Sequence, residues 1–219
     1  MKVFFHYCLP GFNNCYILGT DAERTCHKTA QEAAQEAAQE AVIIDPGVMD
    51  EEILNFIEKN DYLLRAVLLT HDHDSHIRGL RTLKRIYNAA EIYAVNPLIL
   101  DLRVTLIRDG DILDIGPFHI EVISTPGHSS DSTVFKIDNI LFTGDAISAG
   151  LVGTTVSSYG AAIQMTALRS KIFSLPGDFT ILPGHGPPTS LEAERRFNAG
   201  IQTFEQRSTR RPLFTLDYL

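Results

Sequence analysis

Several absences narrow what this sequence encodes. No apolar run approaches the roughly 20 residues a helix needs to cross a bilayer, so no membrane span is expected. There is no excess of positive charge. With 19 Lys and Arg against 27 Asp and Glu, the formal net charge is −8. A surface of that sign repels phosphate backbones and anionic lipid, so neither nucleic acid nor a membrane is expected as a partner. No CxxC pair occurs, and the cysteines are odd in number: Cys8, Cys15 and Cys26. Reduced thiols are therefore expected, not a disulfide framework or a thiolate zinc site. The opening stretch MKVFFHYCLPGFNNCYIL is broken by Pro10, Gly11, Asn13 and Asn14, and no small-residue cleavage site follows. It reads as strand, turn and strand, and the expected location is cytoplasmic. No linker divides the chain, so residues 1–219 read as a single domain.

What is present alternates between strands and helices. Residues 30–41 repeat AQEA three times, a helix-forming composition without a large apolar side chain to dock. This low-complexity stretch, at about 28–41, reads as a loop insertion in a hairpin. Val42–Ile44 is a short strand closed by the turn signal Asp45-Pro46-Gly47. A helix is expected over Asp50 to Asn60, with Ile53, Leu54 and Ile57 on one face, and another over Ile77 to Tyr87. Strands are expected at Ala66–Leu69, Glu91–Val95, Phe118–Ser124, Thr133–Ile137, Ile140–Phe142 and Thr180–Leu182. Met165, Leu168, Ile172 and Leu175 mark a further helix. Two mixed sheets, each covered by helices, account for this order.

The titratable residues follow the strands. His71, His73 and His76 follow Val67–Leu69, His128 follows Val122–Ser124, Asp145 follows Leu141–Thr143, and His185 follows Ile181–Pro183. Loops at strand ends are where a rigid scaffold holds reactive side chains. Five of the eight histidines fall there, and His6, His27 and His119 are given no role. A lone histidine is more often a surface or core residue than a ligand. Three within six positions, with two more after Pro-Gly, argue for a metal centre instead. Neutral imidazole is a preferred ligand of zinc and iron, and a carboxylate completes such sites. In an extended loop His71 and His73 point the same way and can grip one ion, while His76 turns toward a second position. A catalytic ion held by about three side chains keeps a place for water, whose pKa it lowers toward roughly 7.

These stations resemble a known family. Thr70-His71-Asp72-His73-Asp74-Ser75-His76 is similar to the histidine signature of the metallo-β-lactamase superfamily. Asp45-Pro46-Gly47, Thr125-Pro126-Gly127-His128-Ser129, Thr143-Gly144-Asp145 and Pro183-Gly184-His185-Gly186-Pro187-Pro188-Thr189 follow in the family's order. The match spans nearly the whole chain and looks most like the glyoxalase II-type (hydroxyacylglutathione hydrolase) branch and its persulfide dioxygenase cousins. The resemblance implies an α+β fold, a four-layer αββα sandwich of two mixed sheets flanked by helices. It also implies that His71, His73 and His128 hold a first metal, and that Asp145 bridges to a second held with His76 and His185. Zinc is the expected ion, one or two per chain, with iron or manganese possible.

Three departures qualify the resemblance. The family places an aspartate, a ligand and proton acceptor, where this chain has Ser75, and a serine hydroxyl is a poor ligand and base. Asp74 sits one residue early. The candidate catalytic positions are thus Asp145 and Ser75, with the second metal site in question. Residues 147–155 lack the Arg-bearing loop of thioester-hydrolase relatives, and the helical glutathione-binding domain of the longer enzymes is absent. The expected activity is hydrolysis of a small-molecule ester or thioester by metal-bound hydroxide. The alternatives are a mononuclear Fe(II) oxygenase using His71, His128 and Asp145, or a degenerate member that binds a metabolite without catalysis.

Overall fold

The computed structural model describes residues 1–20 and 39–202. The first sheet has six strands: β1 (Lys2–Cys8), β2 (Asn13–Gly19), β3 (Gln39–Ile44), β4 (Tyr62–Leu68), β5 (Glu91–Ala94) and β6 (Thr105–Leu106). They lie side by side in chain order, antiparallel from β1 to β3 and parallel from β3 onward. The second sheet contains β7 (Ile112–Ile115), β8 (Phe118–Ser124), β9 (Thr133–Ile137), β10 (Ile140–Gly144), β11 (Thr180–Pro183) and β12 (Thr189–Ser190). Its pairings are antiparallel except the parallel one between β10 and β11. Both sheets are mixed, as the sequence pattern implied.

Three apolar clusters fill the interfaces between four layers. Side chains alternate across a strand, so each sheet feeds two clusters. Ile17, Ile43, Val67 and Ile92 of the first sheet pack with Ile53 and Ile57 of helix α1 (Glu51–Lys59), and with Ile77 of α2 (Asp74–Ile77) and Leu80 and Leu83 of α3 (Leu80–Ile86). Tyr16, Leu18, Val42, Ile44 and Leu68 turn the other way and meet Ile120, Val122, Phe135 and Phe142 between the sheets. Val134, Leu141 and Ile181 face outward onto Leu168 and Ile172, in the π-helical turn that ends helix α4 (Ser158–Ala167), and onto Leu191 of α5 (Leu191–Phe197). This is the αββα arrangement. Tyr16 joins the sheets: its ring lies edge-on to Phe142 at 5.4 Å, and its hydroxyl donates to the Pro183 carbonyl at 2.7 Å.

Two expectations on the elements change. The helix read as continuous over Ile77 to Tyr87 is broken at Gly79, whose N–H donates to the Pro46 carbonyl at 2.9 Å. A Cβ there would lie 2.5 Å from that oxygen, so only glycine lets the helix approach the Asp45–Gly47 turn. The helix marked by Met165 to Leu175 starts earlier, at Ser158, because the Ser157 hydroxyl accepts from the Gly160 N–H. Of the low-complexity stretch, residues 28–38 lie outside the described residues, and Gln39–Ala41 open strand β3. His6, given no role, packs in the core beside the N-cap of α1, with Nε2 2.9 Å from Asp50 Oδ2. Among the described residues no helix is long and apolar enough to cross a membrane.

Candidate metal centre

The six ligand candidates meet at one edge of the sandwich. β4 leads into His71 and His73 and α2 carries His76, the loop after β8 carries His128, β10 ends just before Asp145, and β11 ends before His185. A backbone bond from Thr133 N–H to the Thr70 carbonyl, 2.9 Å, ties the β4 end to the second sheet. Another, 2.8 Å, runs from Gly184 N–H to the Gly144 carbonyl.

His71 Nε2 lies 2.9 Å from His73 Nδ1, which lies 3.0 Å from His128 Nε2. Asp145 Oδ2 is 3.4 Å from His128 Nε2 and 3.8 Å from His71 Nε2. A tetrahedral ion bound at zinc–nitrogen length separates its ligands by roughly 3.3 Å, so this spacing fits one ion. On the other side of the carboxylate, His76 Nε2 is 3.4 Å from Asp145 Oδ1, and His185 Nε2 is 3.6 Å from Asp145 Oδ2. The ligand atoms of each group lie within 4.8 Å of one another. The His76–Asp145 contact lacks hydrogen-bond geometry, and His76 Nε2 and Asp145 Oδ1 are both buried without a hydrogen-bond partner. Two orphaned buried polar atoms facing each other are what a cation would satisfy. The residues present fit a metal.

In His71, His76, His128 and His185 the ring nitrogen turned away from the centre has a partner, which fixes which nitrogen presents a lone pair. His128 Nδ1 donates to the Thr154 carbonyl at 2.8 Å, and His185 Nδ1 to the Phe12 carbonyl at 2.6 Å. His76 Nδ1 is 3.0 Å from Asp45 Oδ2, and the same oxygen accepts the Thr70 hydroxyl at 2.6 Å. With its hydrogen committed there, Thr70 Oγ1 can accept from His71 Nδ1 at 3.1 Å. Asp45 Oδ1 takes the Thr70 N–H at 2.8 Å, so this buried carboxylate is fully engaged.

Charge follows from the same contacts. Burial, then the neighbouring His76, push His71 down to about 3, so its lone pair is available at neutral pH. Burial opposes a charge on His76, but the carboxylates of Asp45 and Asp145 outweigh it and raise it to about 10. Asp145 is also penalised by burial, yet His76, His185 and His71 hold it well below the usual carboxylate range.

Neither candidate for the missing acid completes the second group. Asp74 is 70% exposed and pairs with Arg78 one helical turn on. Ser75 is half-buried, and its Cα and Cβ crowd Gly11, where an added Cβ would stand 3.0 Å from each. The second group therefore holds His76, His185 and Asp145 alone. Asp45, read from sequence as a turn residue and as a station of the family resemblance with no role of its own, is the main residue of the site whose part was missed. Its φ of 51° in a non-glycine residue marks it as held by its surroundings.

The model of the metallo-beta-lactamase superfamily matches residues 36–100 and 97–195. An uncharacterized protein of Mycobacterium tuberculosis is 30% identical over 222 residues, covering 86% of this chain and 92% of that protein. A hydroxyacylglutathione hydrolase of Francisella tularensis subsp. novicida is 33% identical over 147 residues, covering 66% of this chain and 58% of the enzyme. The chain thus spans little more than half the length of that hydrolase. Among solved structures, ETHE1 from Myxococcus xanthus superposes with a TM-score of 0.76 at 25% identity, covering 97% of this chain and 93% of its own. With the site and the fold already in agreement, the chain belongs to the metallo-beta-lactamase superfamily.

Proposed function

We propose that the protein is a metal-dependent hydrolase of an ester or thioester of a small acyl group. The observation that carries this reading is the convergence of His71 Nε2, His73 Nδ1, His128 Nε2 and Asp145 Oδ2 around one point. A bound zinc, iron or manganese ion supplies Lewis acidity there, acidifying water and polarising a carbonyl. The chain's own groups do the rest. His71 arrives neutral and His128 arrives in a fixed tautomer, so neither must reorganise to bind. Asp145 stays ionised and so presents negative charge to both ligand groups.

The surroundings of the two outward-facing ligands favour an acyl group of low charge. The Phe12 carbonyl holds His185 on one side and the Thr154 carbonyl holds His128 on the other. Phe12 itself and, shortly after Thr154 in the chain, Val156 and Tyr159 carry solvent-exposed apolar or aromatic side chains. Residues 147–155 bring no lysine or arginine, so an anionic glutathione tail has no partner from that loop. The likeness to a hydroxyacylglutathione hydrolase favours a thioester over a plain ester.

The test is turnover of a thioester and ester panel by protein loaded separately with zinc, manganese and iron. Absence of hydrolysis with all three overturns the proposal. Oxygen uptake with a persulfide substrate on the iron-loaded protein would replace it with the oxygenase reading, which the incomplete second group favours.

A further inference from the structure

Among the described residues, β1 (Lys2–Cys8) is the outer strand of the first sheet. From residue 4 on, its even-numbered side chains turn inward: Cys8 lies in the core under the helices, Phe4 packs against that core, and His6 is buried. The odd-numbered ones continue the face that β2 (Asn13–Gly19) presents to the second sheet, and Phe5 touches Tyr16 with ring centroids 5.7 Å apart. The second sheet does not reach far enough to cover them. β2 already lies opposite its β10 and β11 (Ile140–Gly144 and Thr180–Pro183), through Tyr16–Phe142 and the 2.7 Å bond from Asn14 N–H to Gly184. Beyond those strands, among the described residues, the second sheet has only Thr189–Ser190. Val3, Phe5, Tyr7 and, in the turn, Leu9 are consequently between 38% and 70% exposed in a single row.

Folded proteins usually blunt a sheet edge with charge, proline or a bulge. Here the strand Lys2–Cys8 has one charge, at its start, and pairs with β2 without a register shift. We propose that this strand is a homodimer interface, two copies pairing β1 with β1 antiparallel about a twofold axis at Phe5. Such an interface is self-complementary. Phe5 meets the partner's Phe5 and Val3 meets the partner's Tyr7 on one face; Phe4 meets the partner's His6 on the other. Within the paired strands no like charges are apposed, each His6 keeps Asp50 and Glu52 of its own α1 beside it, and aromatic and β-branched cross-strand pairs are the favourable ones. Complete covering of the exposed surface of this strand and turn on both copies would bury at most roughly 1,000 Å², the size of a weak, dissociating interface. A dimer that dissociates in the micromolar range is expected. Because each copy carries a net charge of −8, salt should strengthen the association, the opposite of an ion-paired interface.

Sedimentation velocity of the full chain tests the idea. The expected result is a concentration-dependent dimer in the wild type and at least a tenfold weaker one in Phe5→Lys, with circular dichroism and metal content unchanged. A second variant, Phe5→Cys in a Cys26→Ser background, should give a disulfide-linked dimer on oxidation with diamide, because position 5 faces itself across the axis. A wild type that stays monomeric overturns the proposal, whether solvent or the chain's own residues 203–219 cover the strand. A dimer that Phe5→Lys leaves intact, or one that Phe5→Cys fails to cross-link, overturns it equally.

Discussion

Asp45 Oδ2 lies 3.0 Å from His76 Nδ1, and Asp45 itself is 2% exposed. The same oxygen takes the Thr70 hydroxyl, which stands behind His71, so one carboxylate orients an imidazole in each ligand group. Outer contacts of this kind fix which ring nitrogen is offered to a metal and raise its basicity.

Replacing Asp45→Asn tests that role. The amide oxygen can still accept the Thr70 N–H, but an NH2 group in place of Oδ2 faces both His76 Nδ1 and the Thr70 hydroxyl and sets donor against donor at His76. Affinity for the ion held by His76 and His185 should fall about 10–100-fold. Competition with a chelator of known affinity, followed per equivalent of metal, measures it. Unchanged affinity for both equivalents would show that Asp45 is structural only.

Metal uptake should depend on pH through His76 and not through His71. His76 is raised to about 10, so an ion at its Nε2 must displace a proton at every pH below that value. His71 is lowered to about 3 and is already deprotonated at neutral pH. The sign is therefore that affinity of the His76-containing group rises with pH, about tenfold per unit between pH 7 and 9. Calorimetric titration in buffers of different ionisation enthalpy counts the protons. About one released with the His76 group and none attributable to His71 is the expected outcome; equal release at both groups contradicts it.

The histidines were legible because each follows a strand and the His-x-His spacing suits an extended loop. The change at Ser75 was equally plain, as was the doubt over Asp74: one residue on a helix turns a side chain by about 100°, and Asp74 faces solvent. Other parts of the site carry no residue-type signal. The carbonyls of Thr154 and Phe12 set the tautomers of His128 and His185, and any residue supplies a carbonyl. Asp45 looked like a turn residue because Asp-Pro-Gly is a common turn; its second role depends on β4 (Tyr62–Leu68) lying beside β3 (Gln39–Ile44) in parallel. The break at Gly79 was hidden by apolar spacing that runs on to Tyr87, and only the approach to Pro46 requires it. The helix Leu191–Phe197 went unread, although Ser190 is an ordinary N-cap that accepts from Ala193.

Restoring the acid with Ser75→Asp should change how many ions the chain holds. In the wild type the second group has three donors, His76, Asp145 and His185, and the first has four. One ion is expected to survive dialysis against a weak chelator and the second to be lost. The aspartate variant should retain closer to two, read by elemental analysis without reference to activity. Two ions retained by the wild type would mean that Ser75 leaves the second group adequate.

Gly184 precedes His185 where the chain leaving β11 (Thr180–Pro183) passes the Asp145 carboxylate. A Cβ at Gly184 would stand 2.5 Å from Asp145 Oδ1 and 2.6 Å from His76 Cε1, distances no carbon can keep. Neither neighbour can give way freely: His76 is fully buried, and the Gly184 backbone is bonded on both sides, to Gly144 and to Asn14. Gly184→Ala should therefore push Asp145 and His76 apart and weaken the second group more than the first, which touches Gly184 only through Asp145. It should also lower thermal stability by about 1–3 kcal/mol, the usual cost of overpacking. Metal stoichiometry and a melting curve on the metal-free protein separate the two effects. A variant that melts lower yet still holds its ions like the wild type would show that the Asp145–His76 spacing tolerates the extra carbon.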